Sequence, residues 1–310
     1  MAFPPRTVAV LAWLLCLGFG IGLRAETVVL FPSADATLIE LQPGNSMGAG
    51  NFFNCGTTQN GNSNRALIKF DVAAAVPAGS TITDIGLYLT VTKQPVDGYN
   101  PSPSSLRRML RPWGEGANPT PAFSPGFGLP ASPGDATWSH ASWGTNAWAV
   151  PGGLEGVDYS AAISTTAYIE GESVMPYFFE SGGTIADVQF WLDHPESNFG
   201  WMLKSEDELS RFTARRFGSR ELEEPTESPQ LVITFLLPVV VRTFQAASNQ
   251  IALTFNTDIG HFYRVERLNA FSETNSWTVL TNYGLVFAPG FLTARDSITG
   301  SQRFYRVRRD

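Results

Sequence analysis

Cysteine is almost absent from this chain: Cys16 and Cys55 are the two in 310 residues. Cys16 lies in an apolar N-terminal stretch, so once that stretch is removed Cys55 has no partner and an intramolecular disulfide is excluded. An exported protein of this size then relies on its hydrophobic core, with or without a metal. Histidine is equally sparse, at His140, His194 and His261, far apart along the chain. No His-Glu-x-x-His pair, Gly-x-Ser-x-Gly elbow or phosphate-cradling glycine loop occurs. Their lack argues against zinc hydrolases, serine hydrolases and nucleotide-binding folds. Charge is also low, with 16% charged residues against 43% hydrophobic. Such a balance supports a packed core and excludes disorder of the whole chain.

One long apolar run is present, Val8 to Leu23, preceded by Arg6 and followed by Leu23-Arg24-Ala25. It is shorter than the ~20 residues of a membrane span, and strand-like sequence begins directly after it. Residues 1–25 therefore read as a signal peptide cleaved near Ala25, which places the protein outside the cell or on its surface. Leu15 stands before Cys16 where a lipobox wants a small residue, against a lipoprotein. The lack of any Asn-x-Ser/Thr sequon is compatible with a bacterial source.

Charge divides the rest unevenly. Residues 26–237 carry 11 Lys+Arg and 23 Asp+Glu, a balance of −12, whereas residues 238–310 carry 8 arginines, no lysine and 5 acids, a balance of +3. The acidic part repels nucleic acid and anionic membranes at long range. The break at Leu236-Leu237-Pro238 is the expected domain boundary, giving domains 26–237 and 238–310.

What the chain has in quantity is turn chemistry: 29 glycines and 21 prolines spread between short β-branched and aromatic runs. That pattern predicts an all-β protein with long loops. Leu231, Ile233 and Phe235 share one face at period two, as do Ala66, Ile68 and Phe70, so two segments far apart in sequence read as strands of one sandwich. In Thr81 to Thr92, Leu87, Leu89 and Val91 point one way and Tyr88, Thr90 and Thr92 the other, as on a half-buried antiparallel strand. Regular patterning fades from Gln94 to Pro151, a segment holding Trp113, Trp138, Trp143 and Trp148, and so long an irregular stretch is expected to be functional or mobile. Asp187 to Leu192 reads as alternating or as one helical turn, and His194 to Asn198 as a turn. With roughly nine to eleven short strands in all, the first domain is expected to be a jelly-roll-like β-sandwich.

Taken in order, Ala34-Asp35-Ala36, Asn45 with Gly48, Arg65 to Asp71, Ile82 to Leu89, Trp113-Gly114-Glu115, Ala136-Thr137-Trp138, Asn198-Phe199-Gly200-Trp201 and Phe217 to Phe235 resemble a DNRLRE-type domain, a family related to carbohydrate-binding module family 96. The resemblance spans about two-thirds of the chain. It implies a non-catalytic β-sandwich of secreted or surface-attached bacterial proteins, tied in some members to polysaccharides such as alginate. This chain departs from that pattern in carrying no companion enzyme domain. The tail, with Phe262-Tyr263-Arg264-Val265 and Phe304-Tyr305-Arg306-Val307, is similar to short C-terminal β-sandwich modules, immunoglobulin- or fibronectin III-like, of planctomycete and verrucomicrobial surface proteins. That likeness implies a structural or attachment role.

Candidate residues follow from side-chain chemistry. An exposed indole packs against the C–H face of a sugar while polar neighbours bond its hydroxyls, so Trp143, Trp148 and His140 are the expected carbohydrate-binding residues. Arg108, with Arg107 and Arg111, could face a uronic acid carboxylate. The partner is then a polysaccharide, neutral or uronic-acid-containing. Arg65, Arg220, Glu221, Asp35 and Asp71 are expected to form a structural network, since a planar guanidinium forks onto carboxylates and carbonyls. Asp35 or Asp71 with loop carbonyls could hold a structural calcium; no other cofactor is required. Glu206-Asp207-Glu208 and Glu221, Glu223 and Glu224 read as solvated acidic loops rather than catalytic pairs, so no enzyme activity is expected. The competing reading is an extracellular spacer with no glycan site.

Overall fold

A computed structural model describes residues 25–172, 175–222, 226–247, 250–269, 277–297 and 303–309. The expected signal peptide therefore lies outside the described residues, as do Glu223 and Glu224. The chain is all-β, with 46% strand and 7% helix. It divides into two compact units, Ala25–Pro238 and the chain from Val239 on. Among the described residues no helix is long and apolar enough to cross a membrane.

The first half of the larger unit contains β1 (Glu26–Leu30), β2 (Ala34–Ile39), β3 (Asn45–Ser46), β4 (Phe52–Thr57), β5 (Ser63–Lys69), the short α1 (Val72–Ala75), β6 (Thr81–Leu89), β7 (Val91–Lys93) and β8 (Ser102–Arg108). The second half contains β9 (Leu129–Pro130), β10 (His140–Ser142), β11 (Asn146–Ala147), β12 (Thr165–Ile169), β13 (Tyr177–Phe179), α2 (Gly182–Asp193), β14 (Trp201–Ser205), β15 (Arg215–Gly218) and β16 (Gln230–Leu236). Two antiparallel sheets dominate. One has the order β1-β16-β6-β13, and the larger runs β12-β8-β14-β5-β4-β15-β7 with β2 also on β5.

The period-two pattern sorts the residues between them. Leu87, Leu89, Leu231, Ile233 and Phe235 from the small sheet meet Ala66, Ile68, Leu106, Trp201, Leu203 and Phe217 from the large one in a single buried core. Leu231 lies opposite Leu87 and Ile233 opposite Ile85, so the last strand is fixed in register against one far earlier in the chain. A one-residue slip would turn all these side chains to water.

Alternate residues of the large sheet point outward, and beside Arg65, Arg107 and Lys204 several of these are apolar too. Leu38, Leu67 and Met202 form a second core with Met109, Ala136, Trp138, Ala141 and Trp148 of the long irregular segment and with Tyr159 just beyond it. That segment is thus a packed cover over the outer face of the sheet. Asp158 anchors it, accepting from the Ala149 and Leu154 N–H groups at 2.9 and 2.7 Å while pairing with Arg111 at 3.0 Å.

Around Asp187 to Leu192 the structure differs from the expected alternation or single turn, for α2 is a helix of 12 residues. Ser181 starts it with a capping box: its hydroxyl accepts from Gly183 and Thr184, and the Thr184 hydroxyl accepts from the Ser181 N–H. The paired glycines Gly182 and Gly183 have low helix propensity and hide this start in the sequence, while burial of Val188, Trp191 and Leu192 supplies the stability. Gln189 then ties the helix to β6, accepting from the Ile82 N–H at 2.8 Å.

The smaller unit packs two antiparallel sheets, β17 (Val241–Ala247), β18 (Gln250–Thr257) and β21 (Gly290–Ser297) against β19 (Tyr263–Leu268), β20 (Thr278–Tyr283) and β22 (Phe304–Arg309). Phe255, Tyr263, Val265 and Ala294 form its core.

Candidate functional site

The outer face of the four-stranded sheet is where the larger unit combines exposed rings with polar groups. With Leu87, Leu89 and Leu231 turned inward, Gly86, Tyr88, Gln230 and Val232 must face away from the core. Register sets Phe178 on one side of Tyr88 and Gln230 on the other, a straight row across three strands. The Tyr88 and Phe178 rings lie 4.8 Å apart at a tilt of 35°, and Phe178 remains 41% exposed. Gly86 makes this possible: a Cβ there would stand 2.4 Å from the Phe178 ring, so the ring rests on bare backbone. Beside the pair runs a groove of about 220 Å³ lined by Tyr88, Thr90, Pro176, Thr226, Ser228, Gln230 and Val232. Val29, opposite Val232 and 52% exposed, carries the apolar strip toward the sheet edge. Ring faces and a proline thus sit among four hydroxyls and a carboxamide, without a charged side chain among the described lining residues.

The tryptophan platform expected from the sequence does not form. Trp148 is 4% exposed, its indole N–H donating to the Thr137 carbonyl at 2.8 Å, and Trp138 is buried next to it. The reason is the apolar outer face of the large sheet, which Leu67 and Met202 leave open and these indoles cover. Trp143 is half-buried, edge-on to His140 with ring centroids 4.8 Å apart and closing over Gly44. Nδ1 of His140 is buried without a hydrogen-bond partner. Arg108 does not join them: it pairs with Asp187 at 3.1 Å and lies over the Phe190 ring of α2 at 4.4 Å. Of the four residues expected to bind sugar, the structure therefore brings only Trp143 and His140 together.

Three of the five residues expected in a structural network do meet. The Arg220 N–H donates to Asp35 at 2.9 Å, while its guanidinium forks onto Glu115 at 2.6 and 2.9 Å and lies 2.9 Å from Glu221. Glu115, noted in the sequence only as part of Trp113-Gly114-Glu115, is the centre of the tie, and it also accepts from the Asp35 N–H at 2.8 Å. Gly48 lets this loop approach, since a Cβ there would stand 1.7 Å from the Glu115 carbonyl oxygen. Arg65 stands elsewhere, forked onto Glu208 at 2.8 Å and donating to the Gly152 carbonyl, with its guanidinium over Trp138. Asp71 caps α1 through the Ala74 N–H.

Burial pushes the Asp35 carboxyl well above its usual range, against the opposing bond from Arg220, and the charges of Glu221 and Glu115 add to the rise. Glu221 is pushed up to about 7, chiefly by burial, with Arg220 opposing and Glu115 adding. Oxygens of Asp35, Glu115 and Glu221 lie within 4.8 Å of one another, close enough to share an ion. Calcium, however, takes six to eight oxygens, and here the Arg220 guanidinium already stands between Glu115 and Glu221 as the compensating cation. The donor set is already served by arginine; Asp71, the other expected ligand, gives one oxygen to the N-cap of α1.

The remaining acidic run is also engaged. Glu206 takes the Ser105 hydroxyl and Arg107, which hold its carboxyl below the usual range against the effect of burial, and Glu208 takes Arg65 and Lys204. The sequence did carry one half of the exposed aromatic pair, in the outward alternation of Tyr88 and Thr90. Its partner Phe178 lies in a strand of three residues, too short to be read by period. Compared with models of known protein families and with curated proteins, the chain matches none.

Proposed function

We propose that the protein is a non-catalytic carbohydrate-binding protein of the cell exterior, and that its larger unit binds a polysaccharide on the free face of the four-stranded sheet. The observation that carries this reading is the Tyr88–Phe178 pair beside the hydroxyl-lined groove. Sugar rings offer alternating C–H faces and hydroxyls, and this surface offers the complements of both. Since the described lining residues hold no charge, the ligand at this face is a neutral glycan. The acidic cluster argues against hydrolysis: glycosidases need two carboxyls about 5–9.5 Å apart across the substrate, whereas Glu115 and Glu221 are tied to one arginine. The apolar run at Val8 to Leu23 supports export.

The test is affinity electrophoresis and a glycan array with the purified protein and a Tyr88→Ala/Phe178→Ala variant checked for folding by circular dichroism. Expected is binding to a neutral polysaccharide that falls at least about tenfold, or ~1.4 kcal/mol, in the folded variant. Absence of binding to every neutral polymer would leave the spacer reading, which the burial of Trp138 and Trp148 favours.

A further inference from the structure

The free face of the four-stranded sheet reaches beyond the Tyr88–Phe178 pair. Leu30 of β1 is buried opposite Leu231 of β16, so Phe31, one residue on, turns to the outer face, where it is 50% exposed. Continued register brings Phe31 beside Gln230, which lies opposite Tyr88, itself opposite Phe178. One row thus crosses all four strands, with aromatic rings toward both ends. At about 4.8 Å between neighbouring strands the row is roughly 14 Å long. Val29 and Val232, opposite one another, flank it on one side. On the other side lie Ser228, Thr90 and Pro176, each two residues from its counterpart in the row, and these three line the groove. β1 and β13 are the edge strands, so among the described residues nothing pairs with the sheet beyond either end of the row.

We propose that the ligand is an extended, ribbon-like polysaccharide lying across the strands from Tyr88 and Phe178 to Phe31, with Phe31 as a further binding residue; this rests on the neutral-glycan reading of the groove. The direction follows from what each path offers. Outward residues along β6 and just past it are Gly86, Tyr88 and Thr90, and along β16 and just before it Val232, Gln230 and Ser228, so a chain following either strand meets one ring at most. A chain crossing the strands meets rings toward both ends. Sugar C–H bonds project from the ring faces and hydroxyls from the rim, so the faces lie on the aromatic row while the rim reaches Ser228 and Thr90. A straight row suits a chain whose sugar rings share one ribbon. A coiled glucan such as amylose turns its faces away along the row and touches one end only. The two ringed ends act as linked contacts, so affinity grows with chain length until one chain spans both.

The experiment measures retention of the purified protein in affinity gels containing xylan, glucomannan, hydroxyethylcellulose or amylose, then competition by di-, tetra- and hexasaccharides of the best-retaining polymer. Phe31→Ala, Phe31→Tyr and Tyr88→Ala/Phe178→Ala variants, each checked for folding by circular dichroism, are run beside the wild type. Expected is retention by an extended polymer above that by amylose, with competition that strengthens about tenfold or more from disaccharide to hexasaccharide. Phe31→Ala should abolish that gain with length and leave competition by the disaccharide unchanged. Phe31→Tyr keeps the ring and should behave as the wild type. Equal weakening at every length would mark Phe31 as structural and overturn the proposal, as would wild-type retention of Phe31→Ala, competition that does not grow with length, or preference for amylose. In those cases loss of retention by the Tyr88→Ala/Phe178→Ala variant keeps the neutral-glycan site standing. Unchanged retention of that double variant, or no retention by any polymer, overturns both.

Discussion

Glu221 is the side chain least well served by the fold. One oxygen meets Arg220 and the other is buried without a partner, with Glu115 and Asp35 close by. Its carboxyl titrates at about 7 in the folded chain, against 4.5 ordinarily. A carboxyl raised on folding binds its proton more tightly in the native state, so it favours the fold at low pH and weakens it as pH rises from about 4.5 through 7. Asp35, raised mainly by burial, acts with the same sign. Glu221→Gln should leave the urea midpoint unchanged near pH 4 and raise stability above pH 7, on the order of 1 kcal/mol once solvent screening is allowed for. Midpoints of both proteins across that range test it, and a gap that is largest in acid would show the sign to be wrong. Arg220→Ala leaves three carboxylates without their shared cation and should give insoluble protein, read from the soluble fraction on expression. Because arginine already fills that role, calcium or a chelator should leave the wild-type melting temperature unchanged. The sequence named Asp35, Arg220 and Glu221 together because the chemistry of the fork is local to residue type. It passed over Glu115 as a partner because nothing in one dimension shows which loop acid returns to a distant arginine.

Among the elements, strands were legible and their cover was not. Period-two alternation in Arg65 to Phe70, Leu87 to Val91 and Leu231 to Phe235 states which residues face the core, and those residues do. The segment from Gln94 to Pro151 has no period after β8, since its order comes from single anchors: Trp148 on the Thr137 carbonyl, Trp138 under Arg65, Asp158 on two backbone N–H groups. Such contacts are specific in space and silent in pattern. Trp148 was accordingly read as an exposed ring, when its task is to close the second core. Trp148→Ala should cost about 3–5 kcal/mol, measured as a shift of the denaturant midpoint, and should leave neutral-glycan binding intact wherever the protein remains folded. Gly86→Ala makes the complementary change, as the new methyl group displaces the Phe178 ring from its seat. It should abolish most glycan retention with little loss of β-sheet circular dichroism; unchanged retention would remove the aromatic pair from the site.

At the scale of the whole molecule the opposing charges of the two parts set a test that no single contact can. Residues 26–237 hold a balance of −12 and residues 238–310 one of +3. Self-repulsion at −12 favours expansion, and added salt screens it, with the Debye length falling from roughly 10 Å at 0.1 M to 3 Å at 1 M. Raising sodium chloride from about 0.05 to about 0.5 M should therefore raise the melting temperature of the larger unit. Its signal is separable, because Trp113, Trp138, Trp143, Trp148, Trp191 and Trp201 report on that unit and Trp277 reports on residues 239–310. Over the same titration, binding of a neutral glycan to the Tyr88–Phe178 groove should hardly move. Two responses to one titration, upward for stability and flat for binding, follow from where the charges lie. If neutral-glycan retention fell steeply as salt rose, charge rather than ring and hydroxyl contacts would hold the ligand, and the assignment of binding to the Tyr88–Phe178 groove would be lost.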